Sequence, residues 1–109
     1  MKLAIIGSRD LAVNNMKEYI TDEVSEIVSG GARGIDTQAA ELARESGIPL
    51  TVFLPDYKRY GRGAPLRRNK QIAEYADAVL AFWDGNSKGT LYTINLFKEM
   101  KKKVTVVKM

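Results

Sequence analysis

Short apolar runs alternate with amphipathic segments along the chain. Continuous apolar stretches at Lys2–Ile6 and Ala78–Trp83 are typical of strands buried on both faces of a parallel sheet. Shorter runs, bounded by glycine, proline or charged residues, predict three further strands at Glu26–Ser29, Pro49–Leu54 and Val104–Val107.

Apolar residues at helical spacing occupy the segments between these strands. They predict four helices, at Val13–Asp22, Ile35–Glu45, Pro65–Tyr75 and Leu91–Lys102, and leave Pro55–Ala64 as an irregular segment. Strands that alternate with helices predict one three-layer α/β domain over residues 1–109. We expect a Rossmann-like, five-stranded parallel sheet of order 3-2-1-4-5, because right-handed crossovers restrict the topology.

Three turns rich in glycine and hydroxyl residues follow the first, second and fourth strands. They are Gly7-Ser8-Arg9, the segment 30–36 and the segment 84–90. The predicted strand order brings these turns together at the carboxyl edge of the sheet. Because glycine loops and helix N-termini present unpaired N–H groups, they suit an anion such as phosphate. The alternative, that each is only a tight turn, stays open at this stage.

Basic and aromatic side chains add candidates for the same site. Arg33 could hold phosphate oxygens through its planar fork. Arg67 and Arg68 lie in a first helical turn, where they oppose the helix dipole. They indicate either an anion or acidic partner nearby or simply two exposed, hydrated arginines. Tyr57 and Tyr60 would suit stacking on a base, although a solvated surface loop explains them equally well. The lysines near the C-terminus either complement the dipole of the last helix or form a nucleic-acid patch: Lys98, Lys101, Lys102 and Lys103.

The amino-acid composition limits which partners and reactions are open to the protein. The net charge of +4 favours anionic partners. Cysteine and histidine are both absent, which excludes disulfides, thiolate chemistry and a Ser-His-Asp triad and argues against zinc. We expect no metal site. No apolar run approaches the length of a membrane span, and Met1 leads directly into a strand, so we expect a cytoplasmic protein without a signal peptide.

Four segments taken together resemble the SLOG superfamily, which includes DprA, the YpsA-like proteins and the LOG phosphoribohydrolases. They are GSRD, SGGARGID, APLRRNKQIAEYAD and AFWDGNSKGT, and they span nearly the whole chain. The similarity is greatest to the small, stand-alone branch related to YspA and YpsA. It implies a Rossmann-like fold that binds a nucleotide or nucleotide-derived ligand at the carboxyl edge of the sheet.

The resemblance also implies which residues bind the ligand. They are Gly7, Ser8, Arg9, Gly30, Gly31, Arg33, Gly34, Asp36, Arg67, Asn69, Asp84, Gly85, Ser87, Gly89 and Thr90. Asn69 would read a base edge or a ribose hydroxyl, and Tyr57, Tyr60 or Trp83 would contact the base. Self-association to a homo-oligomer is implied as well.

Three functions follow as hypotheses. The first is nucleotide binding, including a role as a sensor of a nucleotide signal. The second is a DprA-like nucleic-acid-binding module. The third is hydrolysis of nucleotides or N-glycosidic bonds. LOG-type hydrolases carry a catalytic Glu in a PGGxGTxxE motif, and Thr93 stands in its place here. A hydroxyl cannot replace a carboxylate beside an oxocarbenium-like transition state, which argues against LOG-type activity but leaves chemistry by Asp36 or Asp84 open.

Overall fold

All five predicted strands form, and they pair in a single parallel sheet. The computed structural model describes residues 1–109 and has the strand order β3-β2-β1-β4-β5. The strands are β1 (Lys2–Gly7), β2 (Glu26–Ser29), β3 (Leu50–Val52), β4 (Ala78–Trp83) and β5 (Lys103–Lys108). The predicted α/β class and 3-2-1-4-5 topology are therefore confirmed.

Four α-helices flank the sheet: α1 (Ile35–Ser46), α2 (Tyr57–Tyr60), α3 (Ala64–Tyr75) and α4 (Lys88–Glu99). The long helices agree with the predictions, apart from α4, which begins and ends three residues earlier than predicted. The prediction of an irregular segment at 55–64 is wrong in part. The Asp56 carboxylate accepts a hydrogen bond from the Arg59 N–H and caps α2, and the 3-10 turn Gly61–Gly63 leads into α3.

The predicted helix at Val13–Asp22 is wrong, because only a 3-10 turn, Met16–Tyr19, forms there. The segment combines asparagines with β-branched residues, and both have low helix propensity. Val13 and Met16 are nevertheless buried. The Gln38 side chain on α1 donates to the Val13 carbonyl at 2.8 Å and accepts from its N–H at 2.9 Å. The apolar spacing thus reflects core contacts, and a side chain supplies hydrogen bonds that a helix would have supplied.

Side chains that alternate along the strands build a core on each face of the sheet. Leu3 and Ile5 of β1 pack in a cluster with α1 and the 3-10 turn. Ala4 and Ile6 pack in a second cluster with α3 and α4. This two-sided burial explains the continuous apolar runs in the sequence. None of the helices combines the length and apolar character that crossing a bilayer requires.

One of the C-terminal lysines has a role that neither sequence interpretation assigned. The Lys102 ammonium donates to three carbonyls at the end of α3, those of Ala73 at 2.6 Å, Glu74 at 3.1 Å and Ala76 at 2.7 Å. Lys102 therefore caps α3 rather than complementing the dipole of α4. Lys98 remains exposed on α4.

Candidate functional site

A cavity of about 380 Å³ lies where β1, β2 and β4 end, between the N-terminal parts of α3 and α4. Ten of the fifteen predicted site residues line it: Gly7, Ser8, Arg9, Gly30, Asp36, Asn69, Asp84, Ser87, Gly89 and Thr90. The other five do not: Gly31, Arg33, Gly34, Arg67 and Gly85. The lining also includes residues that were not among the predicted site residues: Ile6, Asp10, Ala32, Pro65, Leu66, Arg68, Ile72 and Thr93.

The turn after β1 places a buried hydroxyl group against this cavity. A Cβ at Gly7 would collide with the Ile35 side chain and lie 2.8 Å from the Phe82 carbonyl oxygen, so only glycine lets the turn pack this closely. Ser8 follows, and its N–H donates to the Phe82 carbonyl at 3.2 Å. The Ser8 side chain is only 5% exposed, and its Oγ has no hydrogen-bond partner. The nearest polar group is the Asp84 carboxylate, whose pKa Ser8 helps to lower, and the hydroxyl is otherwise free to hydrogen-bond an atom in the cavity.

The turn before α4 is held by a network of side chains. Asp84 Oδ1 accepts hydrogen bonds from the N–H groups of Asn86 and Ser87, both at 2.8 Å. These N–H groups stabilise the charged carboxylate and hold the pKa of Asp84 below its ordinary value. The Trp83 indole donates to the Ser87 carbonyl at 3.0 Å, and Ser87 Oγ caps the helix by accepting from the Thr90 N–H.

The amino end of α4 therefore points at the cavity in a fixed orientation. The N–H groups of Lys88 and Gly89 have no acceptor within the helix, and the helix dipole adds positive potential there. A Cβ at Gly89 would meet no atom within 4 Å, so the space in front of this residue is open. These donors and Ser8 Oγ face the same cavity in an arrangement that suits an anion, and we refer to them as the anion subsite.

The glycine loop after β2 is occupied by the chain's own side chains. Asp36 Oδ2 accepts a hydrogen bond from the Ala32 N–H at 3.0 Å, and Ser29 Oγ accepts one from the Gly31 N–H at 3.3 Å. Asp36 is buried, and this burial raises the pKa of its carboxyl, opposed in part by the Ala32 N–H and the Arg68 guanidinium. The loop shapes one wall of the cavity, and two of its N–H groups are not free for a ligand.

Arg68 connects α3 to this loop. Its side chain is buried, Nη1 donates to the Gly30 carbonyl, and Nε donates to Asn69 Oδ1 at 2.7 Å. Burial lowers the pKa of Arg68, while the nearby Asp36 opposes that effect. Asn69 Oδ1 is thereby occupied, and its NH₂ group is left to donate.

The two arginines at the start of α3 lie in different environments. Arg67 lies outside the cavity, with its Cζ 5.1 Å from the ring centroid of Tyr60. Arg68 precedes the buried Ile72 by four residues and therefore shares its helix face. That spacing was the sequence signal that could have identified Arg68 as a lining residue.

Arg33 does not line the cavity, although its partner Asp10 does. It pairs with Asp10 at 3.3 Å, and both side chains are largely exposed, at 73% and 91%. Gly34 has a φ of +76°, and a Cβ there would collide with the Arg9 carbonyl, so this glycine fits α1 against the turn after β1. Tyr57, Tyr60 and Trp83 do not line the cavity.

Charges of both signs line the cavity. Arg9 and Arg68 are the cations, and Asp10, Asp36 and Asp84 are the carboxylates. Such a lining can hold a ligand that carries one anionic group and several hydrogen-bond donors, such as hydroxyls. No group of three acidic, histidine or cysteine residues is arranged to hold a metal ion.

No family model matches the chain, and no curated protein or solved structure matches it either.

Proposed function

We propose that this protein binds a nucleotide or nucleotide-derived ligand in the cavity at the carboxyl edge of its sheet. The observation that carries the proposal is Ser8 Oγ, a buried hydroxyl that makes no hydrogen bond, lies beside the Asp84 carboxylate and lines the same cavity as the amino end of α4. A phosphate oxygen there would accept from Ser8 Oγ and from the N–H groups of Lys88 and Gly89. Arg9, which is exposed at the rim, adds positive charge.

The other wall suits the sugar or base of such a ligand. The Asp36 carboxylate accepts hydrogen bonds, and the Asn69 amide group donates them. Ribose hydroxyls and exocyclic amino groups are donors of the matching kind. The proposed orientation therefore sets phosphate against α4 and the polar remainder towards α1 and α3.

Binding without turnover is the better supported form of this function, as in a sensor module. Thr93, which stands where LOG-type hydrolases carry their Glu, donates its hydroxyl to the Gly89 carbonyl at 3.0 Å and is buried. Asp36 and Asp84 are both already engaged by backbone N–H groups. Thr93 supplies no carboxylate, and each aspartate has one carboxylate oxygen bound to its own turn, which argues against hydrolysis of a glycosidic bond here.

We also propose membership of the SLOG superfamily and self-association of the chain. Support for membership is that all four segments carrying the resemblance contribute to one cavity. Support for self-association is the edge strand β3, where Leu50 and Val52 are 38% and 42% exposed and the outer backbone edge is unpaired. Light scattering on the purified protein measures the oligomeric state.

The experiment that tests nucleotide binding is calorimetric titration with AMP, ADP, ATP, GTP, NAD and ribose 5-phosphate. Ser8→Ala removes one hydrogen bond to a charged group, worth about 1.5–3 kcal/mol, so affinity should fall roughly 10- to 100-fold. The free protein should keep its stability within about 0.5 kcal/mol, because Ser8 Oγ has no partner to lose.

Ser46→Ala is the matched control, since Ser46 is exposed at the far end of α1. Equal affinity of Ser8→Ala and Ser46→Ala for the bound nucleotide would contradict the proposed phosphate position. Absence of saturable binding for every compound would contradict the function itself.

A further inference from the structure

Two buried side chains of opposite charge lie close together in the cavity wall without forming an ion pair. Asp36 and Arg68 are only 8% and 7% exposed, and both line the cavity. A Cβ at Gly30 would lie 2.6 Å from Arg68 Nη1 and 3.0 Å from Asp36 Oδ2, so a short gap separates the two charges. The one ion pair of the chain joins Arg33 to Asp10 instead. The gap is thus wider than a direct contact, and it can take one bridging atom that lies about 2.8 Å from each group.

Both of these buried side chains have hydrogen-bonding capacity that the chain does not use. A guanidinium has five N–H groups, and in Arg68 only two of them have acceptors, the Gly30 carbonyl and Asn69 Oδ1. The Asp36 carboxylate accepts from N–H groups of its own loop, such as that of Ala32 at 3.0 Å, and its two oxygens can accept more. The gap therefore has a donor on one side and an acceptor on the other.

The atom that bridges this gap has to accept a hydrogen bond from Arg68 and donate one to the Asp36 carboxylate. A hydroxyl group does both. The exocyclic amino groups of bases only donate, and base carbonyls and unprotonated ring nitrogens only accept. Within a nucleotide, the group that matches the gap is therefore a hydroxyl of the sugar and not part of the base.

The rest of the cavity lining gives a base no stacking surface. No aromatic side chain lines the cavity, although proteins commonly hold unpaired bases by stacking them on aromatic rings. Four of the lining residues carry hydroxyl groups instead: Ser8, Ser87, Thr90 and Thr93. A lining of hydroxyls, carboxylates and guanidinium groups suits a phosphorylated sugar better than a flat, largely apolar ring.

We infer that the cavity recognises the phosphorylated ribose of its ligand, through a sugar hydroxyl that bridges Asp36 and Arg68, and leaves the base outside. This inference rests on the proposed nucleotide site and deepens it by naming the part of the ligand that the protein reads. The phosphate lies at the anion subsite, and the ribose extends from there to the wall that α1 and α3 form. The protein should therefore prefer ribonucleotides to deoxyribonucleotides and bind different bases alike.

The test titrates a series of 5′-monophosphates into the natural protein by calorimetry. AMP, GMP, CMP and UMP differ only in the base and should bind within about threefold of one another. Ribose 5-phosphate has no base and should bind within about tenfold of AMP. The 2′-deoxy and 3′-deoxy analogues of AMP each lack one hydroxyl. At least one of them should bind about 10- to 100-fold more weakly than AMP, because a hydrogen-bonded bridge to two charged groups is lost.

Asp36→Asn tests whether Asp36 is the residue that reads the hydroxyl. The change keeps an oxygen for the Ala32 N–H and removes the charged acceptor. The ratio of the affinities for AMP and for the weaker deoxy analogue should fall to about threefold or less. A variant that only disturbed the fold would weaken both compounds equally and leave this ratio unchanged. Asp22→Asn makes the same chemical change at an exposed position outside the cavity lining, and should keep both the affinity for AMP and the ratio.

Four results would overturn the inference and leave nucleotide binding intact. Equal affinity for AMP and both deoxy analogues would mean that no sugar hydroxyl is read. A difference of more than about tenfold between bases would place the base inside the cavity. An unchanged ratio in Asp36→Asn would assign recognition of the hydroxyl to other residues. Binding of ADP, ATP or NAD without binding of AMP would mean that one phosphate and its ribose are not what the cavity holds. Failure of all these compounds to bind would instead contradict the proposed function.

Discussion

At the scale of single residues, Asp36 and Ser8 determine which hydrogen-bonding groups the cavity presents. The sequence pattern of the glycine loop predicts free N–H groups, yet Asp36 accepts a hydrogen bond from the Ala32 N–H and so takes a place that an anion would otherwise fill. Residue types do not reveal this, because it depends on how α1 begins after Gly34, which has a φ of +76°. The unpartnered hydroxyl of Ser8 likewise follows from tertiary packing. Sequence reasoning locates both residues but not their roles.

The buried carboxyl of Asp36 predicts a pH dependence of stability. Its pKa is raised in the folded protein by burial, so the folded state holds the proton more tightly than the unfolded state does. Stability should therefore fall as pH rises from the ordinary carboxyl pKa through the raised value. Asp36→Asn keeps an oxygen to accept from Ala32 and removes the titration. We expect it to flatten this part of the pH profile and to be more stable than the natural protein at neutral pH.

Urea unfolding at a series of pH values between about 4 and 8 measures this effect. Asp22→Asn is a suitable control, because Asp22 is exposed and lies outside the cavity lining. A stability profile of Asp36→Asn that runs parallel to that of the natural protein would show that Asp36 does not titrate with folding in this range.

At the scale of elements, side-chain hydrogen bonds join both ends of α3 to neighbouring parts of the chain. Arg68 near its start donates to the Gly30 carbonyl after β2, and Lys102 caps its final carbonyls. The sequence predicted this helix nearly to the residue from Pro65 and its apolar spacing. It did not predict the hydrogen bonds of Arg68 and Lys102, because each joins residues that are far apart in the chain. The wrong prediction of a helix at Val13–Asp22 has the same cause. Gln38, on another element, supplies hydrogen bonds that a helix would have made within the segment.

Lys102→Met tests the hydrogen bonds between the Lys102 ammonium and the end of α3. The change keeps the apolar stem and removes an ammonium that donates to three carbonyls, so the free energy of unfolding should fall by about 2 kcal/mol. Lys98→Met, on an exposed position of α4, should change it by less than about 0.5 kcal/mol. Chemical denaturation of both variants measures the difference, and equal values would mean that water replaces the Lys102 ammonium at no cost.

At the scale of the whole molecule, the strand order decides where the site lies. With β1 between β2 and β4, the turns after these three strands meet at one edge, and the strand order reverses between β1 and β4, which opens the cavity there. The alternating pattern of apolar runs and helices predicted a parallel sheet, and the choice of a Rossmann-like strand order then gave the approximate site. It could not predict which amino end would remain open. The α1 end is covered by its own Asp36, and the α4 end is not.

This difference between the two helix ends predicts that stability and ligand binding can be changed in opposite directions. In Gly89→Asp the new side chain meets no atom near its Cβ, and its carboxylate lies in the first turn of α4, where negative charge is favourable. Replacing a helical glycine adds to the stabilisation. The unfolding temperature without ligand should therefore stay the same or rise. The same carboxylate repels phosphate from the anion subsite, so nucleotide binding should be lost.

Thermal unfolding with and without nucleotide measures both effects in one experiment. A ligand at a hundred times its Kd adds about 2.7 kcal/mol, which corresponds to a rise of about 10 °C for a domain of this size. We expect that rise in the natural protein and none in Gly89→Asp. Gly63→Asp, at a glycine that also has open space around it but lies outside the cavity lining, should keep the rise. A full shift in Gly89→Asp would move the phosphate away from α4, because a bound anion cannot share that helix end with a fixed carboxylate without losing affinity.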